Sequence, residues 1–122
     1  MTTLNDMLQQ VLKELEQDLL TKEVAIISSD GLLIAGRIKQ SSRIDLFCAM
    51  IALITRTSTK VSGELSAGKL DKIYLKLHDG AIIASEVSSG AIIAVMTTEG
   101  ENIGLIFNRI DKAKEKIRKI LE

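Results

Sequence analysis

The sequence predicts an α/β sandwich: a five-stranded, mostly antiparallel sheet with two helices on one face and one on the other, in the order αββαβββα. Three observations predict it. Apolar residues recur at helical spacing in three stretches, 3–20, 45–64 and 102–121. Between them lie five short apolar or alternating runs, separated by turns so tight that neighbouring strands must run antiparallel. Two of those runs, 24–28 and 91–98, are apolar at both parities, so helices must cover both sides of the sheet.

Leu4, Leu8, Val11, Leu12, Leu15 and Leu19 make one stripe on the first helix, with Thr3 as the expected N-cap and Asp6 three residues on as a weak capping box. Lys22 and Glu23 lead into the first strand, Val24 to Ser28. Asp30-Gly31 then separates it from Leu32–Ala35, and the pair predicts a type I′ hairpin, which needs positive φ at both central residues. The same pair returns at Asp79-Gly80, followed again by an apolar run and a charge. Gln40, Ser41, Ser42 and Arg43 form the expected loop before the central helix.

That helix carries the unbroken apolar stretch Leu46 to Ile54, with Asp45 as its expected N-cap. Nine residues are too few to span a bilayer, which takes roughly 20. At 100° per residue, Leu46, Met50, Leu53, Ile54 and Val61 form the stripe expected to face the sheet, broadened by Phe47 and Ile51. Cys48, Ala52, Thr55 and Thr59 line the opposite side, and this small-residue face is expected to admit a second helix, from another copy of the chain. After the turn-rich residues 66–72, Ile73, Leu75 and Leu77 alternate with Lys72, Tyr74, Lys76 and His78. This reads as an edge strand that buries one parity and turns lysines outward; Lys72, Tyr74 and Lys76 are expected at a dimer seam. Residues 81–87 supply its hairpin partner and 91–98 a central strand. In the last helix Ile103, Ile106, Phe107, Ile110, Ala113 and Ile117 make the buried stripe, and the lysines opposite read as a solvated face with local ion pairs.

Length fits one domain over 1–122, with enough chain for a core. Sixteen basic residues balance sixteen acidic ones, which removes the electrostatic case for nucleic acid or an anionic membrane. The single cysteine excludes an internal disulfide and a multi-cysteine zinc site and suits a reducing, cytoplasmic setting. The polar start MTTLNDMLQQ predicts no signal peptide, and no run is long enough to insert in a membrane.

The arrangement resembles the roadblock/dynein light chain family, in the form of a small single-domain archaeal- or bacterial-type member. The hairpin VAIISSDGLLIAG, the long helix from Asp45, the passage GELSAGKLDKIYLKL and the segment ENIGLIFNRIDKA carry the resemblance, which covers nearly the whole chain. It implies a profilin-like sandwich that dimerises through the central helix and third strand. It further implies a scaffold or regulator of a small Ras-like GTPase or of a motor or signalling complex, without catalysis of its own.

Chemistry finds little foothold. His78 is the sole histidine and stands at a hairpin mouth without a nucleophile or an orienting group; Cys48 lies in an apolar run, where a thiol stays protonated. No glycine-rich loop followed by Lys-Ser or Lys-Thr is present, so neither a nucleotide nor any other cofactor or metal is expected. For a partner, Arg43, Arg56 and Lys60 are the expected contacts, gathered with loop 39–43 around the two-fold axis of a homodimer. The alternative is a stand-alone ligand-sensing domain, which would want a polar-lined cavity with aromatic walls; the three aromatic residues argue against it.

Overall fold

The structure is a computed structural model that describes residues 2–19, 23–39, 43–88, 90–98 and 100–122. Leu20 and Lys22, the expected loop at 40–42 and Ser89 lie outside the described residues.

The elements follow the predicted order: α1 (Leu4–Leu19), β1 (Glu23–Ser28), β2 (Leu33–Arg37), α2 (Ile44–Glu64), β3 (Lys72–Leu77), β4 (Gly80–Ser88), β5 (Ala91–Thr98) and α3 (Ile103–Leu121). The sheet has the strand order β2-β1-β5-β4-β3, antiparallel throughout. The two strands that are apolar at both parities, β1 and β5, lie inside it, as their composition requires.

α1 and α3 share one face. Leu8, Leu12, Ile106, Ile110 and Ile117 close over Ile26, Ile83, Ile93 and Val95, all fully buried. Each such side chain contributes about 1.5–3 kcal/mol relative to staying in water. Both helix starts are capped: Thr3 and Asp6 exchange hydrogen bonds of 3.1 Å, and the Asn102 side-chain Oδ1 accepts from the Leu105 amide at 3.0 Å. α2 covers the other face alone. Its N-cap is Arg43, with no side-chain hydrogen bond; Asp45 sits within the first turn, where it favours the positive end of the helix dipole instead of capping it.

The faces of α2 are largely the reverse of the expectation, although Phe47 and Ile51 do pack toward the sheet as expected. Cys48, Ile51, Ala52 and Thr55 pack on Ala25, Ile27, Ala84, Ile92 and Ala94 and are buried, whereas Leu46, Met50, Leu53 and Val61 stand more than half exposed. The sheet explains this. Both sides carry isoleucine and alanine, but on the α2 side Ala25, Ala94 and Ala84 stand next to one another in register across β1, β5 and β4, and only a small-residue helix face can come close enough to fill that shallow row.

β3 is the predicted edge strand, and its alternation holds in part: Ile73 packs half-buried on the α2 side as expected, and Tyr74 and Lys76 are exposed, but Lys72 is drawn in and Leu77 is left out. Lys72 and Tyr74 turn toward α3: Lys72 Nζ lies 2.7 Å from Asp111 and 5.5 Å from the Phe107 ring centre, and Tyr74 meets the same ring edge-on. Ile73, Leu75 and Leu77 point to the α2 side, where α2 covers them incompletely.

The turns differ as well. Neither Asp30 nor Asp79 has positive φ, so no type I′ turn forms. At the first turn the Ser28 hydroxyl and carbonyl hold the Leu32 and Gly31 amides, and only Gly31 takes positive φ, at 91°. A Cβ there would stand 3.1 Å from the Ala49 Cα, so glycine lets this turn lie against α2. At the second, a side chain on Gly80 would collide with the Thr97 carbonyl.

Of the cations of α3, Arg118 pairs locally with Glu115, whereas Lys116 reaches Glu14 on α1 and Asp111, an expected local partner, is taken by Lys72 of β3; two of the cations also reach the sheet. The pairing of β4 with β5 slips between Glu86 and Ser88, and Arg118 donates two hydrogen bonds, of 3.2 and 3.3 Å, to the Val87 carbonyl inside the slip. Lys114 donates at 2.8 Å to the Ser85 hydroxyl, which itself donates to the Asp71 carbonyl.

Candidate docking surface

Single apolar side chains at a surface are ordinary, but a contiguous line of them marks a surface for interaction. Leu46, Met50, Leu53, Thr57 and Val61 follow one another at intervals of four, three, four and four, which sets them in a single line along α2, pointing away from the sheet. Leu65, just past the helix, is 71% exposed, and Leu77 at the end of β3 lies 48% exposed on the same side of the sheet. Beside them the outer edge of β3 has no strand against it among the described residues. Because Ala49 abuts the β1–β2 turn at one sheet edge, the opposite flank of α2, with Ile54 and Ser58, leans toward β3 at the other.

Among the residues expected at a dimer seam, Cys48, Ala52 and Thr55 are 1%, 1% and 5% exposed within the single chain. They are the helix's contact with its own sheet and are not available to the seam expected of them. Thr59 is exposed, its hydroxyl donating back to the Thr55 carbonyl at 2.9 Å. Lys72 and Tyr74 are committed to α3, and Lys76 donates to the Leu77 carbonyl at 3.0 Å, so what β3 leaves free is its backbone edge. Arg43, Arg56 and Lys60 are all exposed on α2. Thirteen residues separate Arg43 from Arg56, about 20 Å of helix, so one chain does not bring the three together.

The ionisable groups tell the same story. Burial, then the Asp45 charge, pushes the Cys48 thiol above its ordinary value, which keeps it a neutral core residue. Burial works against the Lys72 ammonium, but hydrogen bonds and charge from Asp111 and Asp71 outweigh it and raise its pKa. His78 is an exposed turn residue between β3 and β4. Among the described residues no three His, Cys, Asp or Glu side chains converge as a metal site would require, and no helix is long and apolar enough to cross a membrane.

Reading the helix alone missed the exposed stripe, although a signal for it was present. Ala25, Ala84 and Ala94 share one parity of the sheet, and small residues opposite small residues predict which side of α2 goes down.

A three-helix, five-stranded sandwich with an exposed apolar stripe on its lone helix defines a class of protein before any name. The model of the Roadblock/LC7 domain matches residues 7–97, and the chain belongs to that family. It is 28% identical over 112 residues to the uncharacterised protein MJ1340 of Methanocaldococcus jannaschii, covering 92% of this chain and 97% of that one. Among solved structures, Myxococcus xanthus MglB superposes with a TM-score of 0.88 at 18% identity, over 93% of this chain and 94% of that one. A Roadblock/LC7 domain from Streptomyces avermitilis gives 0.86 at 16% identity, over 92% and 95%. At such identities the structures share the fold, and the functional reading rests on the surface.

Proposed function

We propose that the protein is a non-catalytic, dimeric docking module that holds or regulates a small Ras-like GTPase. One observation carries the reading: a continuous apolar stripe on the outside of α2, next to an unpaired sheet edge. Antiparallel pairing of β3 with its symmetry mate would join two five-stranded sheets and set the two α2 helices side by side on one face. Ile54, Ser58 and Leu65 then meet across the two-fold axis, in place of the small-residue face first expected there. Leu46, Met50 and Leu53 from both copies form the platform, and Arg56 and Lys60 rim it. The GTPase is the partner implied by the family resemblance; the geometry supports a flat protein surface as the ligand, and one GTPase on the axis of each dimer. The setting is cytoplasmic.

Sedimentation at micromolar concentration tests the first half and should give about twice 13.3 kDa. Amides of 72–77 should exchange slowly in the dimer and lose protection on dilution. For the second half, reversing Arg56 and Lys60 to glutamate should weaken binding of a Ras-like GTPase from the same cell, leaving the dimer and its melting temperature unchanged. Unaltered binding by that variant would move the partner to α1 and α3.

A further inference from the structure

At the N-terminal end of α2 a cleft of about 250 Å³ opens between the helix and the end of the sheet. Ile44, Phe47, Met50 and Met96 supply apolar walls, and among the described residues two charged side chains line it, Glu23 and Arg43. Glu23 is half-buried. It pairs in register with Met96 and, two residues before Ala25, faces α2. Neither Glu23 nor Arg43 forms an ion pair or side-chain hydrogen bond with another described residue.

The chemistry of this lining narrows the ligand. Pockets for drug-sized molecules occupy about 300–1,000 Å³, so this cleft suits something smaller. Its walls are isoleucine, leucine and methionine with a single ring, Phe47, and no second ring to sandwich a sugar or a base, which favours an unbranched or branched hydrocarbon side chain. One anion and one cation on the same lining match a molecule that carries both charges. A carboxylic acid would leave Glu23 without a partner and an amine would leave Arg43 without one. We propose that the cleft binds a free α-amino acid of the leucine or methionine type, its carboxylate toward Arg43, its ammonium toward Glu23 and its side chain between Met50 and Met96. This site does not depend on the GTPase reading, but Leu46 and Met50 belong to both surfaces, so an occupied cleft and a docked partner contact the same side chains.

Protein labelled with carbon-13 at the methionine methyls reports the cleft directly through Met50 and Met96, with Met7 on α1 as the internal reference. L-Leucine should shift both cleft signals and saturate at about 1 mM, the range open to so small a ligand, while Met7 stays still. Isocaproate, which lacks the ammonium, and isoamylamine, which lacks the carboxylate, should each bind at least about tenfold more weakly. Glu23→Gln and Arg43→Gln should each weaken leucine by a similar factor without lowering the melting temperature. No saturating shift up to about 50 mM would overturn the proposal. So would equal binding of the two truncated analogues and leucine, which would mark an apolar slot for a partner's side chain and leave the platform reading intact. The analogue series needs only the unmodified protein, so a variant that folds poorly does not rescue the proposal.

Discussion

The two faces of the sheet are built on opposite principles. On the α1/α3 side, isoleucine, leucine and valine interlock under two helices whose large apolar residues are mostly buried, with Leu4, Met7 and Leu105 exposed only near the helix starts. On the α2 side, alanine and cysteine let one helix sit low on the sheet, and its large apolar residues remain outside. A layer that stabilises the fold consumes its large side chains. The α2 layer leaves its large side chains at the surface, where the proposed partner would cover them, and the small residues underneath are what permit this.

The sharpest way to break that contrast is Ala52→Arg. A charge placed where α2 meets Ala25, Ala84 and Ala94 has no counter-ion there, and about 3–5 kcal/mol of stability should vanish. Denaturant titration reads the loss; a native midpoint would mean that this side of α2 faces water after all. Next come substitutions of opposite sense on the two faces of one strand. Ile93→Ala should cost about 2–5 kcal/mol by leaving a cavity, and its neighbour Ala94→Leu about 1–3 kcal/mol by lifting the helix. If Ala94→Leu proves harmless, close approach is not what orients α2.

Leu53→Lys should be the mirror image of Ala52→Arg. At 56% exposure the leucine holds little of the fold, so unfolding should change by only about 0.5 kcal/mol, while binding to the platform should be lost. Calorimetry beside a partner-binding assay separates the two; a large loss of stability would return Leu53 to the core.

The smallest effect concerns alkali. Lys72 has its folded pKa raised above 10.5, so the stability it lends is complete below that value and drains away as pH climbs through the folded pKa. Cys48, raised above 9.0, acts in the same sense, because only the unfolded chain ionises freely above that pH. Stability should therefore be level from neutrality to about pH 9 and decline beyond it, by less in Lys72→Met than in the parent protein. The native thiol should also resist thiol reagents at pH 8. Rapid labelling there would place Cys48 at the surface.

Much of this molecule could be read from the chain alone. Helical spacing located all three helices, parity marked β1 and β5 as interior strands, and alternation marked β3 as an edge. Those properties are local: they depend on which residues recur at which interval, and tertiary packing has only to accept them. Orientation is a different kind of property. Leu46, Met50 and Leu53 on one side of α2, and Cys48, Ala52 and Thr55 on the other, are both apolar enough to be buried, and hydrophobicity alone chose the larger set. The sheet chose the smaller, because Ala25, Ala84 and Ala94 leave a shallow surface that only close approach can fill. Lys72 followed the same logic, taken inward by Asp111 and Phe107 from a helix some forty residues further along the chain. Sequence thus determined the elements and their order. Which faces met, and so which surface was left for a partner, was decided by shape and charge across elements that no local pattern connects.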